Sequence, residues 1–175
     1  MSSLLLLSVA ALWTLAATAW PDLPEQIPTH FDFGGCPDAW AAPGFASWFL
    51  LPTLATGMVA LMGLGLPRWL VGLARRNSPM LNMPQRARFQ ALSEESRVRA
   101  VSTMASGLQR VALLVAALFG WILYGTHEVA HERWEALPPS GLFGVVGLLV
   151  AQALWLVVSA SRAVSREVAA ERGGG

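Results

Sequence analysis

His127 and His131 stand four residues apart in the run HEVAH, with Glu128 directly after the first histidine. On a helix that spacing puts both imidazoles on one face, where they can share a metal ion while the glutamate acts as general base. This is the chemistry of a zinc-dependent hydrolase. Such a centre also needs a third protein ligand and an open position for water. Glu135 is a poor third ligand, because His127, His131 and Glu135 run about 12 Å along a helix axis. The third ligand must then come from the other histidine-bearing segment, as His30, Asp32 or Asp38.

That segment, LPEQIPTHFDFGGCPDAW, spans residues 23–40. Pro24, Pro28 and Pro37 fix backbone torsions and forbid a regular helix, while Gly34 and Gly35 permit a tight reversal. A shaped loop is expected. His30 and Asp38 have two readings: direct contact with a ligand, metal or proton, or a purely local role in bonding loop carbonyls and closing a turn. Cys36 is the single cysteine, so no internal disulfide staples the loop.

The elements that position these residues are apolar. Hydrophobic residues make up 54% of the chain and charged residues 13%, a composition suited to lipid as solvent. Leu4–Trp20, Ala46–Leu66, Val111–Gly125 and Leu142–Ala160 carry no Asp, Glu, Lys or Arg. Each approaches the roughly 20 residues that a helix needs to cross a bilayer; the third does so by extending back past Arg110, whose side chain can snorkel. The first stretch ends in ATA at residues 17–19, like a signal-peptidase site, but MSS before it lacks the positive n-region, so an uncleaved span is expected. The fold expected is an all-α membrane protein of four transmembrane helices with a short structured first extracytoplasmic loop. The expected segments are 1–66, two helices and the loop; 67–105, an Arg-rich cytoplasmic loop; 106–161, the second helix pair; and 162–175, a tail.

Small residues Ala112, Ala116 and Gly120, and Gly147 with Ala151, form faces that let helices approach closely and would serve a helix-mediated oligomer. Gln152 and Thr14 are expected to bond between helices, and Pro52 to bend the second span. Ser93–Ser106 reads as a solvated amphipathic lead-in continuous with the third helix.

Orientation follows from the arginines, since the chain has no lysine. Residues 67–105 hold seven of them and the tail three, whereas the other two loops share only Arg133. The positive-inside rule puts both termini and the middle loop in the cytoplasm. All three histidines and seven of the eleven acidic residues then face outward. Trp20, Phe31, Phe33, Trp40, Phe45 and Trp48 flank the first loop, as expected of a segment lying against headgroups. Membrane lipid is therefore an expected partner; nucleic acid is not, because no aromatic–basic interleaving appears.

In order, Leu23, Pro24, Ile27, Pro28, His30, Phe31, Gly35 and Asp38 resemble the pattern that follows the first helix in the SdpI-type bacterial membrane protein superfamily. The resemblance covers about residues 4–66. LNMPQRARF, from Leu81, is similar to an asparagine-x-proline stretch of some relatives. The resemblance implies a bacterial inner-membrane protein with a role in immunity to a secreted peptide or in sensing it. His30, Phe31, Gly35 and Asp38 would meet a peptide or protein partner at the outer face.

The leading expectation is thus a non-enzymatic envelope protein, with HEVAH a solvated helix end whose Glu128 and Glu132 pair with Arg133 or headgroups. No cofactor is expected. The alternatives are a metal-dependent enzyme, with zinc or another divalent ion on His127, His131 and His30, and a structural subunit of a membrane complex. The arginine asymmetry makes orientation testable. Cys36 should react with a membrane-impermeant maleimide in intact spheroplasts, whereas a cysteine introduced by Ser78→Cys should not; the reverse labelling pattern would mean inverted insertion.

Overall fold

The computed structural model describes residues 2–173. Its elements are α1 (Ser2–Ala19), β1 (Ile27–Phe31), β2 (Pro37–Ala41), α2 (Leu50–Ala60), α3 (Leu66–Arg75), α4 (Arg86–Gln90), α5 (Glu94–Ala130) and α6 (Pro139–Gly173). Four helices are long and apolar enough to cross a membrane: α1, the continuous run Phe45–Arg75 that contains α2 and α3, α5, and α6. The protein is a multi-pass, helical integral membrane protein with one small sheet.

Two compact units divide the chain, each with its own core. Met1–Val59 and Leu113–Leu149 form the first. Leu12, Ala16, Ile27, Trp48, Ala55 and Leu123 are buried together there. Trp48 is 1% exposed, and its indole N–H donates to the Ala16 carbonyl at 2.9 Å. Trp13 Nε1 donates to Thr56 Oγ1 at 2.9 Å. Indole donors thus tie α1 to the second helix, where an unsatisfied polar group would be costly in lipid.

The loop expected after α1 is an antiparallel β-hairpin. Ile27 pairs with Ala41, Pro28 with Trp40, His30 with Ala39 and Phe31 with Pro37, with the register shifting on either side of His30. Prolines survive here because a two-stranded sheet has free edges, where a missing N–H breaks no ladder. Strict alternation is absent from the sequence, so periodicity could not announce these strands.

Ala60–Ala112 and Val150–Gly175 form the second unit. Its core is Leu73, Leu81, Met83, Phe89, Leu92, Ala100, Val101 and Val164, among others. The segment 67–105, expected as a loop, is therefore folded: α3, α4 and the start of α5 bury their apolar residues against the end of α6. Arg97 Nε donates to the Ala74 carbonyl at 2.9 Å, and Arg99 Nε to Glu167 at 2.9 Å. The lead-in Ser93–Ser106 is continuous with α5 as expected, but it is packed rather than solvated, with Val101 fully buried. Ser93 caps it: its Oγ accepts the Ser96 N–H at 3.3 Å and donates to Glu171 at 2.6 Å.

Other helix contacts differ from expectation. Among the described residues Gln152 Nε2 has no hydrogen-bond partner, and Thr14 is exposed. Instead Gln109 Nε2 donates to the Gly63 carbonyl at 3.2 Å, an acceptor that Pro67, four residues on, cannot engage. Ala112 and Ala116 are buried as a close-approach face requires, whereas Gly147 and Ala151 are exposed. The tight approaches fall at other glycines: a Cβ at Gly107 would collide with Leu156, and one at Gly141 with Trp121.

Trp48 supplies both packing and a hydrogen bond, and the two separate by substitution. Trp48→Phe should cost about 1 kcal/mol, the lost hydrogen bond, and Trp48→Ala about 3–5 kcal/mol. Reversible unfolding in detergent micelles checks this; equal losses would show that the ring does not support the core.

Candidate functional site

The hairpin tip is closed by its own polar groups. Asp32 Oδ1 accepts the Cys36 N–H at 2.8 Å, the Asp32 N–H donates to the Cys36 carbonyl at 2.8 Å, and the Gly35 N–H donates to the Asp32 carbonyl at 3.0 Å. Asp32 is thus the turn-closing aspartate, the local role considered for Asp38. Gly35 takes φ +85°, and a Cβ there would run into the Leu137 carbonyl. Only glycine meets both demands. In return the Gly35 carbonyl accepts the Leu137 N–H at 2.8 Å, which fastens the tip to the segment between α5 and α6.

The register shifts leave Thr29 and Asp38 without cross-strand partners. Bulges of this kind re-aim side chains. Here the Asp38 carboxylate reaches His30, with Nδ1 and Oδ1 2.6 Å apart and the side chains 68% and 49% exposed. So His30 binds a side chain, not loop carbonyls, and the pair stays open to solvent. Beside it lies a cleft of about 250 Å³, lined by Thr29, His30, Phe31, Gly35, Ile122 and Leu137 among others. Phe33 is 90% exposed at its rim and packs 5.8 Å from Phe143. Of the four expected partner-binding residues, His30, Phe31 and Gly35 line the cleft and Asp38 meets His30 beside it, with Gly35 contributing backbone geometry rather than a contact group.

HEVAH closes the same unit differently. Glu128 is 8% exposed, and Arg133 grips both its oxygens, Nε to Oε2 at 2.7 Å and Nη2 to Oε1 at 2.8 Å. The bonded carboxylate raises the Arg133 pKa further above its ordinary value. His127 Nδ1 lies between the two partners, 3.0 Å from Arg133 Nη2 and 3.3 Å from Glu128 Oε1. His131 places Nδ1 2.8 Å from the His127 carbonyl and Nε2 2.8 Å from the Asp22 carbonyl. Carbonyl oxygens only accept, so both bonds exist together only when both ring nitrogens carry hydrogen. His127 Nε2 is the one nitrogen of the two rings left without a partner among the described residues. Glu128 pairs with Arg133 as expected, while exposed Glu132 takes the left-handed turn that ends α5, at φ 57°.

These groups act as a clamp on helix ends. His131 ties the segment after α1 to the end of α5 across 109 residues of chain. Among the described residues no three His, Cys, Asp or Glu side chains are grouped to hold a metal ion, so His30 does not join His127 and His131. Sequence reasoning missed Leu137 and the Asp22 carbonyl. Both act through the backbone, which no residue type announces; the glycine at position 35 was the one available cue.

The family described as "Domain of unknown function (DUF1648)" matches residues 6–56, from α1 through the hairpin into α2. No curated protein and no solved structure matches the chain.

Gly35→Ala forces a side chain into the left-handed region and against Leu137. A loss above about 2 kcal/mol is expected, together with faster proteolytic nicking at the tip. Unchanged unfolding and nicking would show that the tip is not fastened.

Proposed function

We propose that the chain is a non-enzymatic protein of the bacterial inner membrane, with both termini cytoplasmic, that recognises a peptide or protein at its outer face in an immunity or signal-sensing role. What carries the reading is the fastened hairpin, which holds the exposed His30–Asp38 pair beside an apolar cleft. A surface already ordered before binding loses less entropy when its partner arrives. Phe33 and Phe31 offer apolar contact to a side chain in the cleft. With His30 Nδ1 donating to Asp38, Nε2 accepts a hydrogen bond in the neutral ring and donates one in the charged ring.

The metal-dependent alternative draws less support from the geometry. A general base must be free to take a proton, whereas Glu128 is occupied by Arg133 at 2.7 and 2.8 Å. Both His131 ring nitrogens lie 2.8 Å from backbone carbonyls, those of His127 and Asp22, which a metal would have to displace.

The test pairs complementation of a deletion strain with a membrane-fraction immunoblot. His30→Ala and Asp38→Ala should each weaken partner capture about tenfold, the order of one charge-assisted hydrogen bond, at normal abundance. The double variant should lose less than the sum. Full activity of both single variants at wild-type abundance would sink the proposal and leave the hairpin as scaffolding.

A further inference from the structure

Within the second unit, α5 and α6 enclose a pocket of about 110 Å³ lined by Thr103, Trp155, Val158, Ser159, Arg162 and Arg166. Its placement on α6 is systematic. Leu154, Val158, Arg162 and Arg166 follow one another at intervals of four, so each neighbours the next along one ridge that winds gradually round the helix. That ridge changes from apolar to cationic where the uncharged stretch of α6 ends, at Ala160.

Both arginines are available. Among the described residues neither has an ion-pair or hydrogen-bond partner, and the adjacent acid, Glu167, is already bonded to Arg99 at 2.9 Å. No carboxylate lines the pocket. The Arg110 guanidinium lies over the Trp155 ring at 4.0 Å, adding positive charge to the floor. The Thr103 hydroxyl has no partner among the described residues, whereas Ser159 spends its proton on the Leu156 carbonyl at 3.0 Å. Below the arginines, Val150, Leu154 and Val158 are 55%, 64% and 48% exposed.

We propose that this pocket holds the phosphate of an anionic phospholipid, with Arg162 and Arg166 donating to its oxygens. Two guanidinium forks and a hydroxyl suit a phosphate's several acceptors. The volume admits a phosphate and its glycerol carbons but no acyl chain. The chains lie along Val150, Leu154 and Val158, where the helix is open to hydrocarbon. This geometry selects a lipid over free phosphate. With no acid to receive an ammonium group, it also selects an anionic headgroup over a zwitterionic one.

Native mass spectrometry of the purified full chain tests the proposal, with phosphatidylglycerol, phosphatidylcholine and inorganic phosphate as probes. Phosphatidylglycerol should be retained in preference to phosphatidylcholine, and excess inorganic phosphate should not displace it. Arg162→Gln with Arg166→Gln should cut retention about tenfold or more, whereas the charge-matched pair Arg68→Gln with Arg75→Gln should leave it nearly unchanged. Thr103→Val, which alters no charge, should weaken retention several-fold and decides the matter if the double arginine variant fails to fold. Equal loss in both double variants would reduce the effect to net charge and overturn the site. Displacement by inorganic phosphate would overturn the lipid assignment. Full retention by Thr103→Val together with no preference for phosphatidylglycerol would overturn both.

Discussion

The hydrogen bond from the Leu137 N–H to the Gly35 carbonyl, 2.8 Å long, is the constraint on which the hairpin and its cleft depend. A two-stranded hairpin is at best marginally stable alone in water. This one is held at three places: at its root Ile27 is fully buried, at its tip the Gly35 carbonyl is engaged, and beside it His131 grips the Asp22 carbonyl at 2.8 Å. The cleft, the bulges and the His30–Asp38 pair all inherit their positions from that anchoring. Remove the glycine and the tip loses the one backbone conformation that brings its carbonyl to Leu137.

The two cores answer to different solvents. Between lipid-facing helices apolar burial gives little drive, because the surrounding tails are as apolar as leucine. There the structure relies on indole donors, such as Trp13 to Thr56 and Trp48 to the Ala16 carbonyl. The core around Leu81, Met83, Phe89 and Leu92 is built from a segment too rich in arginine to lie in hydrocarbon. Its burial removes apolar surface from water and is worth roughly 25 cal/mol per Å².

The spans were readable because lipid imposes a long, charge-free signature, and Leu142–Ala160 illustrates it. Much of the rest was not. Leu73, Leu81, Met83, Phe89 and Leu92 lie among arginines at irregular spacing, so no period marked residues 67–92 as folded. HEVAH stood out most, yet its meaning turned on a carbonyl 109 residues away and on Arg133, which sits beyond the helix. His30 and Asp38 were singled out by residue type and by the resemblance. What brings them together is a pair of bulges, and bulges leave no mark in the residue types.

The run Phe45–Arg75 widens twice, at Phe45–Phe49 and at Leu61–Gly65, each time just before a proline, Pro52 or Pro67. A widened turn amounts to one extra residue in the helix and advances everything after it by about 100° around the axis. The face that α3 presents to Phe89 and Val164 is therefore set partly by chain length upstream of it. A one-residue deletion within Leu61–Gly65 would restore an ordinary helix and yet turn Leu73 and Ala74 away from their core. In this stretch the number of residues carries structural information independent of their identity.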